Sequence, residues 1–141
     1  MLIRFSPHSQ RIALLRTTSI FTVRAHPDQA RQITATFLSA EGYSLDWDDE
    51  WDGTAQKGSR ALHFLAGGIA QSYSFDLNIR YLGGSNGDTH CSIEIRQDAR
   101  AYTGDAVGNP KTQSELAHLD AGLRSALDAA GVLEHAEMVR G

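Results

Sequence analysis

The sequence predicts an α+β protein with an antiparallel sheet of four to five strands and two amphipathic helices on one face of the sheet. Two segments repeat apolar residues at helical spacing, several others alternate apolar and polar residues, and glycine-rich turns separate them. The predicted order of elements is β-α-β-(β)-β-β-α. No repeat or linker divides the 141 residues, so we expect a single domain over residues 1–141.

The first strand is predicted within residues 11–25, after an extended lead-in over residues 1–10. β-branched residues are frequent in this segment, and Phe21, Val23 and Ala25 alternate with polar or β-branched neighbours. A period of two is typical of a strand that is buried on one side.

The first helix is predicted over residues 27–41. Pro27 suits the first helical position because its missing N–H would have no partner there. Gly42 suits the position after the last turn, where a left-handed backbone conformation often ends a helix. An apolar stripe at spacings of three and four consists of Ala30, Ile33, Phe37 and Ala40.

A second strand is predicted from the alternation of Tyr43, Leu45 and Trp47 with polar residues. An acidic segment and a turn follow it. Residues 54–57 either continue this strand or form a short partner strand, so the number of strands within residues 43–57 stays open.

The clearest pattern predicts a β-hairpin over residues 71–97, with one apolar and one polar face. Glycine, serine and asparagine between residues 83 and 88 supply the turn. The apolar positions are Tyr73, Phe75, Leu77, Ile79 and Tyr81 in one strand and Cys91, Ile93 and Ile95 in the other.

The second helix is predicted over residues 113–130, after a loop over residues 98–111. Thr112 and Glu115 have the spacing of a capping box, and Gly131 follows the last turn. The helical stripe consists of Leu116, Leu119, Leu123, Leu127 and Ala130. The tail over residues 132–141 is not assigned, and an extension of the helix is one interpretation of it.

Composition argues against two classes of partner. The formal net charge is −4 with only two lysines, so we expect no nucleic-acid partner, because clustered basic residues supply most of that affinity. No apolar run is long enough for a transmembrane segment. The lone Cys91 cannot form an internal disulfide, which favours a reducing cytoplasm.

No motif predicts a catalytic residue, a metal ligand or a cofactor. The acidic segment Asp48–Gly53 resembles the start of a calcium loop but lacks the glutamate required at the twelfth position. No histidine pair has a zinc-binding spacing. The glycine-rich turn lacks the lysine of a phosphate-binding loop, and Cys91 keeps the register of the buried isoleucines.

The segment between residues 57 and 73 is the predicted place for a function. It is apolar, yet its double glycine interrupts any long helix or strand, so it is a core crossing, the lip of a pocket or a contact surface. The candidate contact residues are Leu62, Phe64, Leu65, Gly67, Gly68 and Ile69, with Tyr73 and Tyr81 of the hairpin.

The same segment resembles a motif of small uncharacterised bacterial α+β proteins. The resemblance consists of Lys57-Gly58-Ser59, the stretch Phe64–Gly68, and Gln71 and Tyr73 before a strand. It is confined to about residues 57–73 and implies no particular activity.

Three functional hypotheses follow. The first is a non-enzymatic binding or protein-interaction domain that associates with itself as a homo-oligomer. The second is a carrier of a small hydrophobic ligand in a helix-grip-like fold, with the ligand between the sheet and the second helix. The third is an enzyme whose polar groups converge only in the fold, for example His90, Glu94 and Tyr102.

Overall fold

A computed structural model describes residues 17–58, 73–85, 88–97 and 110–140 of the chain. The elements are, in order, β1 (Thr17–Val23), α1 (Pro27–Ala40), β2 (Ser44–Trp47), β3 (Asp52–Lys57), β4 (Tyr73–Ser85), β5 (Asp88–Gln97), α2 (Pro110–Ala129) and β6 (Leu133–Arg140). The predicted lead-in, most of the loop over residues 98–111 and the double-glycine segment lie outside the described residues.

The prediction of an α+β fold with an antiparallel sheet and two helices is confirmed. The prediction of four to five strands is wrong, because the described residues form a sheet of six strands in the order β2-β3-β4-β5-β1-β6. Every pairing is antiparallel. The order of elements is therefore β-α-β-β-β-β-α-β, with residues 52–57 as a separate strand and a last strand after α2.

The last strand was missed because its sequence lacks the signal of a half-buried strand. β6 pairs only with β1, and the pairing register shifts beside Glu134, which interrupts the alternation. Ala136, Glu137 and Met138 also suit a helix. Pairing with β1 determines the conformation of this tail, and the interpretation as a helix extension is wrong.

One face of the sheet carries the core. Residues paired across an antiparallel ladder lie on the same face, and the pairs Phe21–Ile93 and Leu77–Ile95 are buried together. This face, which we call the helix-bearing face, packs against both helices and forms one core with them. Leu38 of α1 belongs to this core. The opposite, open face carries exposed polar residues, among them Gln56, Arg80 and Arg96.

Three of the four helix ends agree with the sequence signals, and the start of α2 differs. α1 begins at Pro27, and Gly42 and Gly131 follow the two helices with φ angles of 93° and 76°, in the region that favours glycine. The capping box is wrong, because α2 begins at Pro110 and Thr112 lies buried in its first turn. Neither described helix is long and apolar enough to span a lipid bilayer.

Candidate functional site

The outer end of the β4–β5 hairpin extends beyond the strands on either side of it. Pairing between β3 and β4 ends at Asp52 and Asn78, and β1 pairs with β5 only from Cys91 onwards. We call residues 80–85 and 88–90 the hairpin tip. The edge of β4 that faces β3 has no partner strand along the tip among the described residues.

The geometry of the tip depends on a bulge and a glycine. The register between β4 and β5 shifts between Tyr81 and Gly83, so Leu82 is an extra residue in β4. Gly84 has a φ angle of 151°, and a Cβ atom there would lie 1.9 Å from the carbonyl oxygen of Asp88. Only glycine allows the two strands to approach this closely next to the turn.

An open cleft of about 470 Å³ lies between this edge and the start of α1. Its volume falls in the range of about 300–1,000 Å³ that is common for ligand sites. The lining residues are His26, Pro27, Trp51, Asp52, Asn78, Ile79, Arg80 and Tyr81.

Aromatic side chains form much of the apolar wall of the cleft. Tyr81 is 58% exposed and Trp51 is half-buried, and the neighbouring Leu82 is 52% exposed. Large apolar side chains that are exposed side by side are more informative than single ones, because such patches often mark contact sites.

The turn between β2 and β3 fixes the position of Trp51. One carboxylate oxygen of Asp49 accepts the backbone N–H groups of Trp51 and Asp52 at 2.7 and 2.8 Å. These two hydrogen bonds favour the charged carboxylate and hold the pKa of Asp49 below its ordinary value. The carbonyl oxygen of Trp51 accepts the N–H of Ile79 at 2.8 Å, which joins the turn to β4.

The polar groups of the cleft differ in their partners. The side chain of Asn78 donates to the carboxylate of Asp52, and Nδ1 of His26 accepts the N–H of Asp28 at 3.1 Å. Arg80 is exposed and has no ion-pair partner among the described residues.

Four polar side chains attach the β5 side of the tip to the rest of the sheet. Glu134 lies 2.9 Å from Nε2 of His90 and accepts a hydrogen bond from Arg24 at 3.1 Å. Nε of Arg24 also lies 3.4 Å from the carboxylate of Asp88. We call these residues the Glu134 cluster.

A second polar cluster lies at the opposite end of the sheet. The hydroxyl of Tyr43 donates to the carboxylate of Glu115 at 2.5 Å, and Nζ of Lys57 lies 3.7 Å from the same oxygen. Tyr43 is buried and also contacts Phe75. This cluster joins α2 to β2 and β3, at the end where the chain leaves β3.

The structure separates the two predicted tyrosines. Tyr81 lies at the cleft, whereas Tyr73 pairs with Lys57 at the other end of β4 and stacks on Phe75 at 6.5 Å. The other candidate contact residues lie outside the described residues: Leu62, Phe64, Leu65, Gly67, Gly68 and Ile69.

The enzyme hypothesis placed His90 with Glu94 and Tyr102, but a different side chain lies beside His90 in the structure. His90 lies beside Glu134, which the sequence pattern did not single out. Glu94 is four positions away along β5, or about 13 Å at the rise of a strand. Tyr102 lies outside the described residues.

The sequence reasoning did not identify His26, Trp51 and Arg80 as cleft residues. They come from a helix cap, a turn and a strand, and only the fold brings them together. The one available signal in the sequence was a tryptophan within the acidic segment, since Trp51 falls outside the alternation of β2.

The cysteine is buried, and the described residues form no group that could hold a metal ion. Burial raises the pKa of the Cys91 thiol to about 11, so the thiol stays protonated and weakly nucleophilic. Within residues 17–58, 73–85, 88–97 and 110–140, no three His, Cys, Asp or Glu side chains could together hold a metal ion.

Comparisons with protein-family models and with curated proteins found no match to this chain. Any functional argument therefore depends on the geometry of the fold. The carrier and enzyme hypotheses stay predictions. The α2 leucines and Phe75 are buried in the common core.

Proposed function

We propose that this chain is a non-enzymatic binding domain that holds its ligand in the cleft beside the hairpin tip. The observation that supports this proposal is the exposure of Tyr81 next to Trp51 in an open cleft at an unpaired strand edge. Aromatic side chains supply large contact areas at a low cost in conformational entropy.

The polar groups of the cleft favour binding over catalysis. Asp52 and His26 already have partners, and among the described lining residues there is no nucleophile with an adjacent base. Arg80 adds a charge that can orient a ligand. Apolar walls with few oriented polar groups are typical of binding sites.

The fluorescent dye 8-anilinonaphthalene-1-sulfonate is a suitable probe, since it is aromatic and anionic. We expect saturable binding to the wild-type chain and clearly weaker binding to Trp51→Ala and Tyr81→Ala. Met138→Ala is the matched control, because Met138 is exposed on β6, away from the cleft. Equal dye binding by all four proteins would contradict the proposal.

A second candidate function is self-association through β6. This strand has eight residues and pairs with β1 on one side only, and it exposes Met138 and Val139 at 42% and 39%. A strand edge of this kind can pair with a second copy of the chain.

Size-exclusion chromatography with light scattering tests this second function. We expect a dimer at high protein concentration that Val139→Lys converts to monomer and Leu82→Lys does not. A wild-type chain that stays monomeric at every concentration would exclude self-association and leave the cleft proposal untouched.

A further inference from the structure

We infer that the cleft binds an extended segment of another protein, which adds as an antiparallel strand to the edge of β4 that has no partner strand among the described residues. The segment carries two apolar residues followed by an acidic one. This inference rests on the proposed function, because it names the class of ligand for the same cleft.

The backbone of β4 offers unpaired hydrogen-bonding groups at this edge. The N–H of Ile79 points towards β3, since it donates to the carbonyl oxygen of Trp51. Successive residues of a strand direct their backbone groups to alternate edges. The N–H and C=O of Tyr81 therefore face the same edge, and no described residue pairs with them there.

The cleft lies in line with β3, beyond the first residue of that strand. β3 begins at Asp52, directly after Trp51. These two residues line the cleft together with residues 78–81 of β4. A strand added at the usual spacing of about 4.8 Å from β4 would pass through this space. The hydrogen bonds of Tyr81 would then continue the ladder of β3.

The two faces of the sheet determine which side chains the segment needs. A ligand residue opposite Tyr81 would point to the helix-bearing face, where Pro27 and Trp51 line the cleft, and an apolar side chain fits there. The preceding ligand residue would lie beside the exposed Leu82, which also favours an apolar side chain.

The next ligand residue would lie opposite Arg80 on the open face. The guanidinium group of Arg80 has no ion-pair partner among the described residues, so a carboxylate there would form an opposite-charge pair across the strands. Asp52 lines the same cleft, and no ion pair joins it to Arg80 among the described residues. Because the ligand strand runs antiparallel to β4, its residues meet Leu82, Tyr81 and Arg80 in that order. From its N-terminus to its C-terminus, the ligand sequence is therefore apolar, apolar, acidic.

The first step of the test is selection of random-sequence peptides displayed on phage against the full chain. We expect enriched peptides to share the apolar-apolar-acidic pattern. A synthetic peptide of that sequence should bind wild type more tightly than it binds Trp51→Ala, as measured by titration calorimetry. Peptides that bind both proteins equally would overturn the inference.

The second step separates backbone pairing from side-chain contact. Methylation of the ligand nitrogen opposite Tyr81 should weaken binding about tenfold, because it removes one hydrogen bond and blocks close approach. An unchanged dissociation constant would overturn strand addition.

The third step exchanges the charges. Arg80→Glu should weaken binding about tenfold, and a peptide with lysine in place of its acidic residue should restore binding to Arg80→Glu. Arg80 is exposed, so the variant should fold, which circular dichroism checks. Failure of the exchanged pair to restore binding would overturn the proposed register.

The inference and the proposed function can fail separately. If no peptide is enriched but the anionic dye still binds at Trp51 and Tyr81, the ligand is not an extended peptide and the proposed function stands. If neither the dye nor any peptide depends on the cleft residues, both are wrong.

Discussion

The inner and outer halves of the β4–β5 hairpin share one sequence pattern but have opposite environments. Ile79 and Tyr81 occupy successive apolar positions of β4, yet Ile79 is 3% exposed and Tyr81 is 58% exposed. Both helices pack over the inner half, and the outer half extends beyond β3 and β1. The alternation therefore selects a face of the sheet, and the neighbouring elements determine how much of that face is buried.

This difference suggests a division of roles between the two halves. The inner half stabilises the fold, because it contributes fully buried side chains such as Ile93 and Ile95. The outer half contributes little to the core, and we propose that it binds the ligand. The following predictions test this division, from the largest expected effect to the smallest.

Substitutions in the two halves should differ most in their effect on stability. Ile93→Ala removes a fully buried side chain of the inner half and should lower the free energy of unfolding by about 2–5 kcal/mol. Leu82→Ala in the tip should change it by no more than about 0.5 kcal/mol. Urea denaturation measures both values, and equal losses would contradict the division.

Cys91 lies where the two halves meet, and it should make stability depend on pH. Its pKa is raised from 9.0 to about 11 in the folded chain, so between these values the unfolded chain loses a proton that the folded chain keeps. Stability should therefore fall as the pH rises from 9 to 11, by about 2–3 kcal/mol.

The Cys91→Ala variant isolates this effect from the titration of lysine and tyrosine residues. Urea denaturation of both proteins at pH 8 and pH 11 gives the loss for each. We expect the larger loss in the wild type. Equal losses would mean that water reaches the Cys91 thiol. The exposed outer half of the hairpin would then include Cys91.

Alanine at the two glycines of the tip should have unequal effects. Both have positive φ angles, but only at Gly84 would a Cβ atom collide with the backbone of Asp88, whereas Gly83 has open space around its Cβ position. Gly84→Ala should cost about 1–3 kcal/mol, and Gly83→Ala should cost less.

Amide chemical shifts would show where the Gly84→Ala change occurs. We expect shifts along the tip and none around Ile93 or Ile95. Shifts that spread through the inner half would show that the two halves form one rigid unit.

The smallest effect is expected for the Glu134 cluster. Glu134→Gln should lower stability by less than about 1 kcal/mol, because its ion pairs are partly exposed. Hydrogen exchange at the tip amides should become faster, since the β5 side loses its attachment. Glu137→Gln on the same strand is the control, and an equal change there would contradict a specific role for Glu134.

Local signals predicted much of the regular structure. The alternation in the hairpin, Pro27 at the start of α1 and Gly42 and Gly131 after the helices all act over a few residues, and the structure agrees with each of them. The strand β6 is different, because its conformation depends on pairing with β1, more than one hundred residues away. Its own residues do not favour a strand.

The candidate site could be predicted only in part. Tyr81 was identified as an apolar residue of the hairpin, but its partners His26, Trp51 and Arg80 have no common pattern in the sequence. They become neighbours because β3 begins only at Asp52, whereas β4 extends past the level of that residue. The length difference between two paired strands cannot be read from either strand alone.

The sequence by itself determined the fold class, the two helices and the two faces of the central hairpin. Each of these follows from the spacing of apolar residues or from the backbone preferences of proline and glycine, which are local properties. The tertiary structure alone decided the sixth strand, the exposure of Tyr81 and the position of the cleft. These depend on where neighbouring strands and helices end, and that is set by contacts between distant segments.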